Sequence, residues 1–164
     1  MVKQVIEIQA PNYMPIPCGP EILKVFLAGS IEMGLAENWQ TRVIRALENR
    51  DNIIVFNPRR NDWDSSWEQS QDNPRFSEQV SWELKHLEIA DVILVYFDPK
   101  TKSPISLLEL GLFSRKAIVC CPHGFWRKGN VDIVCMRYHI PMFNTIDELI
   151  ATILRRKEAD HAQR

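Results

Sequence analysis

Glu109 stands in the stretch SPISLLELG, with Leu107, Leu108, Leu110 and Leu112 about it. A carboxylate in that company is costly to desolvate unless it is paired or put to use as a nucleophile or an acid–base group. A second acid, Glu83 in SWELKH, falls on a helical pattern, where by itself it reads as a solvent-facing residue. A third feature is the turn AGSIEMG. Gly29 lets backbone N–H groups approach a ligand and Ser30 adds a hydroxyl, so a helix start just beyond would favour an anion such as a 5′-phosphate. The turn is neither a G-x-G-x-x-G fingerprint nor a G-K-[ST] loop. A tight strand-to-helix turn needing Gly29 and Gly34 for geometry alone explains the same residues, and Glu32 opposes a phosphate.

In FNPRRNDWD, Arg59 and Arg60 are placed to grip a phosphate or carboxylate, and Trp63 to stack on a planar base. The same residues fit an ion-pair network with Asp62 and Asp64, with tryptophans plugging the loop onto the domain. Asp98 leaves an apolar strand at its carboxyl end, within reach of a ligand, although Asp-Pro is also a turn signal. Asp91, at the amino end of that strand, reads as a structural cap. The four histidines make no constellation: His86 and His139 read as half-buried, His123 lies in a candidate site loop, and His161 is near the C-terminus. Cys18, Cys120, Cys121 and Cys135 lack the spacing of metal ligands, and Cys120 and Cys121 end an apolar strand as buried thiols do. No metal and no redox cofactor is expected, and a reducing cytoplasm fits best.

The elements that must position these groups follow from periodicity. EILKVFLAGS, NIIVFNP, DVILVYFDP, KAIVCCP and HIPMF read as strands. Between them, residues 37–48, FSEQVSWELKHLEIAD, SLLELGLFS and GNVDIVCMRY read as helices, and TIDELIATILRRK as a last helix in which Thr145 and Glu148 form a capping box. RRNDWDSSWEQSQDNPR is a long polar loop. Five strands alternating with helices imply a doubly wound parallel α/β sheet with helices on both faces. Ligands in such sheets bind outside the carboxyl ends of the strands, which singles out residues 28–38, 57–75, 98–106 and 122–130.

The 164 residues suit one domain, and 45% hydrophobic with 25% charged residues suits a folded protein. A net charge of −1 gives no basis for a broad nucleic-acid surface, so a small ligand is expected. No apolar run is long enough to span a membrane, and Glu7 with four prolines interrupts any signal-peptide core near the start. Residues 1–23 read as an N-terminal extension, 24–157 as the domain and 158–164 as a charged tail.

Three stretches, VFLAGSIEMG, ELKHLEIADVILVYF and SPISLLELG, together resemble the nucleoside 2-deoxyribosyltransferase superfamily in order and spacing. That superfamily includes the 2′-deoxynucleoside 5′-phosphate N-hydrolases. The resemblance implies a single-domain flavodoxin-like fold that cleaves the N-glycosidic bond of a nucleoside or nucleotide. The family's nucleophilic glutamate falls on Glu109, its second acid on Glu83, and its Gly-Ser turn, which holds the 5′-phosphate in the N-hydrolases, on Gly29 and Ser30. Ser103 and Ser106, where many members carry an acid or glycine, become candidates for the sugar hydroxyls. The family assembles as homo-oligomers in which a neighbour completes the site, with Asn130 as the candidate for that role. The expected partners are therefore a nucleoside or nucleotide, a free nucleobase and further copies of the chain. A non-catalytic nucleoside- or nucleotide-binding module of the same fold is the alternative.

Overall fold

A computed structural model describes residues 4–17, 19, 21–31 and 36–162, with side chains of the last helix through residue 156. Cys18, Glu32 and Gly34 lie outside the described residues, as does the His161 side chain. In chain order the elements are β1 (Ile6–Gln9), β2 (Leu23–Gly29), α1 (Trp39–Leu47), β3 (Ile53–Asn57), α2 (Pro74–Ile89) and β4 (Val92–Tyr96). They continue as α3 (Pro104–Leu112), a 3₁₀ turn (Ser114–Lys116), β5 (Ala117–Cys120), α4 (Lys128–Tyr138), β6 (Met142–Phe143) and α5 (Ile146–Ala162).

Among the described residues six strands form one parallel sheet, ordered β1-β3-β2-β4-β5-β6. Every residue of β3 and β4 is buried, as their unbroken apolar runs require of strands covered on both faces. The pleat sends Val25 and Leu27 to one face, where α1 and α5 supply Trp39, Val43, Leu47, Leu149 and Ile153. It sends Phe26 and Ala28 to the other, where α2, α3 and α4 supply Trp82, Leu87, Leu110, Val131 and Cys135. The fold is thus doubly wound and flavodoxin-like, with Glu83 and Glu109 carried by helices on the same face.

One strand more than the sequence suggests is present. Ile6–Gln9, in the segment read as an extension, pairs with β3 in the register Ile8↔Phe56. It is short, Glu7 interrupts its apolar residues, and its place at the sheet edge is fixed by pairing more than by its own pattern. Asn57 Nδ2 donates to Glu7 Oε1 at 2.7 Å, so even the interrupting acid is used. At the other end, the α5 backbone runs on to Ala162, into the stretch read as a tail.

The helix starts follow their caps. Asn38 Oδ1 accepts from Thr41 N at 3.3 Å, and Asn73 Oδ1 accepts from Arg75 N at 3.1 Å, with Pro74 opening α2. The Thr145–Glu148 box forms: Glu148 Oε2 accepts from Thr145 N at 3.0 Å, and Thr145 Oγ1 accepts from Glu148 N at 3.3 Å. Asp91 accepts from Lys24 N at 2.9 Å and pairs with Lys24 Nζ at 3.1 Å, the structural role its position implies.

Candidate active site at the carboxyl end of the sheet

The chain turns from β2 outward to β3, then crosses back through α2 to β4, so the strand order reverses between β2 and β4. The carboxyl ends of these two strands form the switch point where open α/β sheets take ligands. Gly29 and Tyr96 pair there, and Ser30 N donates to Tyr96 O at 2.8 Å. The approach is too close for any side chain. Gly29 has φ +138°, and a Cβ on it would lie 2.3 Å from Tyr96 O.

The Ser30 hydroxyl turns inward. It accepts from Asp98 N at 2.8 Å and from Thr101 Oγ1 at 2.8 Å, and it shares a 2.5 Å hydrogen bond with Ser103 Oγ. Ser103 and Thr101 are themselves 2.8 Å apart, closing a triangle of hydroxyls, and Ser30 is only 1% exposed. Asp98, also buried, accepts from Lys100 N at 2.8 Å and Glu37 N at 3.2 Å, tying the end of β4 to the entrance of α1. Trp39 Nε1 adds a bond to Ser30 O at 3.1 Å. These bonds make the switch point rigid. They also fix Ser103 at φ +46°, a left-handed conformation unusual for serine, immediately before α3.

From that start, α3 turns Ser106, Glu109 and Leu110 inward, one helical turn apart on one face. It turns Ile105, Leu108 and Leu112 outward, each about 60% exposed. Glu109 therefore points into the body of the protein. Burial lifts its carboxyl to about 8, and the charge of Glu83, close by on α2, adds to the rise. Burial also lifts Glu83 to about 7, moderated by a hydrogen bond from Gln79 Nε2 to Glu83 Oε1 at 2.8 Å. The second acid is thus not the solvent-facing residue its helical position alone suggested. The fold brings the two carboxyls into electrostatic contact, each desolvated and holding its proton into the neutral range.

Arg59, following β3, sends its guanidinium across to the entrance and first turn of α1, toward Glu37 O and Gln40 Oε1 at 3.3 Å and Ala36 O at 3.5 Å. All three acceptors are neutral. Burial lowers its affinity for its proton, which marks a cation without a charged partner among the described residues. Arg60 differs: it pairs with Asp62 at 2.8 Å and lies 5.2 Å from the centre of the Trp67 ring. Trp63 packs on Trp67 with centroids 5.1 Å apart, so the long loop carries its own small cluster. Asn130 lies exposed in the first turn of α4, not in the loop where the sequence placed it. Among the described residues, no hydrogen bond, ion pair or ring contact joins Trp63 or Asn130 to the carboxylate pair.

His123 is exposed, and so is His139, whose backbone closes α4 at φ +55°; the expectation of half-burial fails because this C-cap faces solvent. His86 is fully buried, with its ring 4.0 Å from Trp82 and its Nδ1 2.7 Å from Trp82 O. Two residues at the site went unnoticed in the sequence. Thr101 gave no signal, being a lone hydroxyl in a turn. Gln79 did, since it precedes Glu83 by four residues and so shares its helical face.

A doubly wound α/β protein with a desolvated pair of carboxyls beside the switch point is the class that fold and geometry define. Residues 22–125, well over half of the chain, match the family described as nucleoside 2-deoxyribosyltransferase like, and the chain belongs to that family. No curated protein matches the chain.

Proposed function

We propose that the protein is an N-glycosidic-bond enzyme in which Glu109 is the nucleophile and Glu83 the proton carrier. The observation that carries this reading is the carboxyl pair itself. Two largely desolvated glutamates held close together are costly for a fold, yet they suit a reaction that needs one ionised and one protonated carboxyl at neutral pH. Membership of the family supports a nucleoside or nucleotide as substrate.

In the ligand-free pair the proton rests on Glu109; the reactive form is the one in which it has passed to Glu83, and from that form the Glu109 carboxylate attacks C1′ as the bond from C1′ to the base breaks. The electron pair of that bond goes to the base nitrogen, which takes the proton from Glu83. This half yields free base, an ester between C1′ and Glu109, and an ionised Glu83. In the second half an incoming base, or water, bonds to C1′ and gives its proton to Glu83, while the ester oxygen leaves as the Glu109 carboxylate. Two displacements retain configuration at C1′, as in retaining glycoside chemistry.

Around this centre, Ser106 lies one turn from Glu109 on the same face and serves the sugar. Gly29, Ser30, Asp98 and Ser103 form the rigid wall that sets the height of α3. Arg59 supplies positive charge at the rim for the 5′ end or a polar base substituent, with Trp63 on the loop beyond it. The same reading includes a homo-oligomer with Asn130 near the contact. Ile105, Leu108 and Leu112 on α3, with Ile133 and Met136 on α4, are each at least 59% exposed and leave an apolar surface of the kind interfaces cover.

The test is base release, followed by chromatography, from deoxynucleosides, ribonucleosides and their 5′-monophosphates, with and without a second free base. Exchange marks a transferase and free sugar a hydrolase. Intact-mass measurement after rapid quenching should find one glycosyl adduct on the wild type and none on Glu109→Gln. Equal turnover by wild type and Glu109→Gln on every substrate would falsify the catalytic assignment. Tight binding without turnover would favour the binding module.

A further inference from the structure

Gln79 lies on α2 one turn before Glu83 and is 4% exposed. Its carboxamide is a two-pronged donor: Nε2 gives one proton to Glu83 Oε1 at 2.8 Å and the other to Pro58 O, at the end of β3, at 2.9 Å. The opposite amide orientation would set Oε1 against two acceptors, so the neighbours dictate the one observed. It leaves Oε1 buried without a partner. An apolar side chain of the same length would avoid that bare oxygen, so the fork of two donors is the function that requires glutamine here.

We propose that Gln79 is the positioning residue of the carboxyl pair: it fixes the Glu83 rotamer toward Glu109 and makes Glu83 the member that carries negative charge in the ligand-free protein. The inference rests on the reading of Glu83 and Glu109 as the reacting pair. Through Pro58 it also anchors Glu83 to the start of the long loop, so the carboxyl and the loop carrying Arg59 and Trp63 move as one. Among the described residues no other charged side chain is paired with Glu83. From α3 it faces Glu109, and from the end of β3 it faces only neutral Pro58, because the Arg59 guanidinium is turned to the 36–40 segment. On α2 itself, Lys85 lies over the Tyr13 ring and His86 is turned to Trp82 O.

The experiment is a carbon-13 NMR titration of the glutamate carboxyls in the ligand-free protein, with Glu83→Gln and Glu109→Gln used for assignment. Gln79→Met removes the donors, keeps the length and removes the bare oxygen, so the fold should persist; Gln79→Asn withdraws the carboxamide by one methylene as a second variant. In either, the Glu83 titration should rise by about one pH unit, the size expected when a carboxylate loses a charge-assisted donor. In a Glu83→Gln background the same substitutions should leave the Glu109 titration where it was. The acidic limb of kcat/KM should move with Glu83 in the single variants. An unmoved Glu83 titration in folded Gln79→Met and Gln79→Asn overturns the proposal. So does a Glu109 shift that persists without Glu83, which would make Gln79 a packing residue. The titration needs no turnover, so its outcome is separate from that of the base-release assay.

Discussion

Replacing Glu109 by glutamine should stabilise the protein at alkaline pH and leave it little changed at pH 5. The folded chain holds the Glu109 proton up to about pH 8, whereas the unfolded chain releases it near the ordinary 4.5. Between those values the native state binds more protons than the unfolded state, so stability falls as pH rises and the full penalty is present above pH 8. At ~1.4 kcal/mol per tenfold change in affinity, the penalty is about 5 kcal/mol at most. Ionisation will draw in water and reorient nearby dipoles, which brings the expected gain for Glu109→Gln to about 2–3 kcal/mol. For a chain of this size that is a rise in Tm of roughly 4–10 °C.

Thermal unfolding followed by circular dichroism from pH 5 to pH 9, with wild type and variant in parallel, reads the effect directly. The gap between the two melting temperatures should open as pH rises from 5 and level off by about pH 8. A gap that is constant across this range would mean that Glu109 is solvated in the folded protein, and the argument from desolvation to chemistry would fail with it. The same variant should have lost base release at every pH. Gain of stability with loss of activity at one position is the signature of a group kept for function against its folding cost.

Three further outcomes follow from the same geometry. Gly29→Ala places a Cβ 2.3 Å from Tyr96 O at φ +138°; since both atoms belong to paired backbone, the cost should exceed ~3 kcal/mol, and a Tm within a few degrees of wild type would contradict the strand register. Ser30→Ala should weaken turnover of nucleosides and 5′-monophosphates by the same factor, because its hydroxyl is consumed inside the protein, whereas Arg59→Met should selectively weaken the monophosphates by about tenfold or more. His86 is desolvated and holds its proton less tightly than an unfolded histidine at 6.5; the unfolded state then binds more protons as pH falls through 6.5, stability declines on that limb, and His86→Phe should flatten it in acid melts.

Much of the fold could be read because α/β sheets announce themselves by period. The runs VFLA and VILVY carry burial on both faces, and each lies where the alternation put a central strand. β1 escaped because an edge strand is specified by its neighbour: its register comes from β3, and Glu7, opposite Val55, takes a hydrogen bond from Asn57 two residues further along. The site was legible unevenly for a similar reason. Glu109 stood out because its apolar surroundings are contiguous in sequence. What surrounds Glu83 comes from another helix, so its burial and its coupling to Glu109 exist only once α2 and α3 share a face. Ser30 was legible as a residue but not as a direction. The hydroxyls that capture it, Thr101 and Ser103, come from beyond β4, some seventy residues on in the chain.

That capture changes what the Gly-Ser turn is for. A hydroxyl free to meet a phosphate would have to give up its bonds to Asp98 N, Thr101 and Ser103. The turn instead acts as a strut. Gly29 brings β2 against β4, Ser30 locks the hydroxyl triangle, the triangle holds Ser103 in a left-handed conformation, and Ser103 fixes where α3 begins. Glu109 lies six residues on, less than two turns, so its depth beside Glu83 is set by that chain of contacts. The uncompensated features of the described structure gather at this same end of the sheet: a strained serine, two desolvated carboxyls, an arginine with neutral partners and the bare oxygen of Gln79. The amino-terminal end has left-handed residues of its own, Asn52 at φ +58° and His139 at φ +55°, but its acid Asp91 is paired with Lys24. A fold that sets two desolvated acids side by side, and supports them with a rigid hydrogen-bonded wall, is built to hold those acids in place.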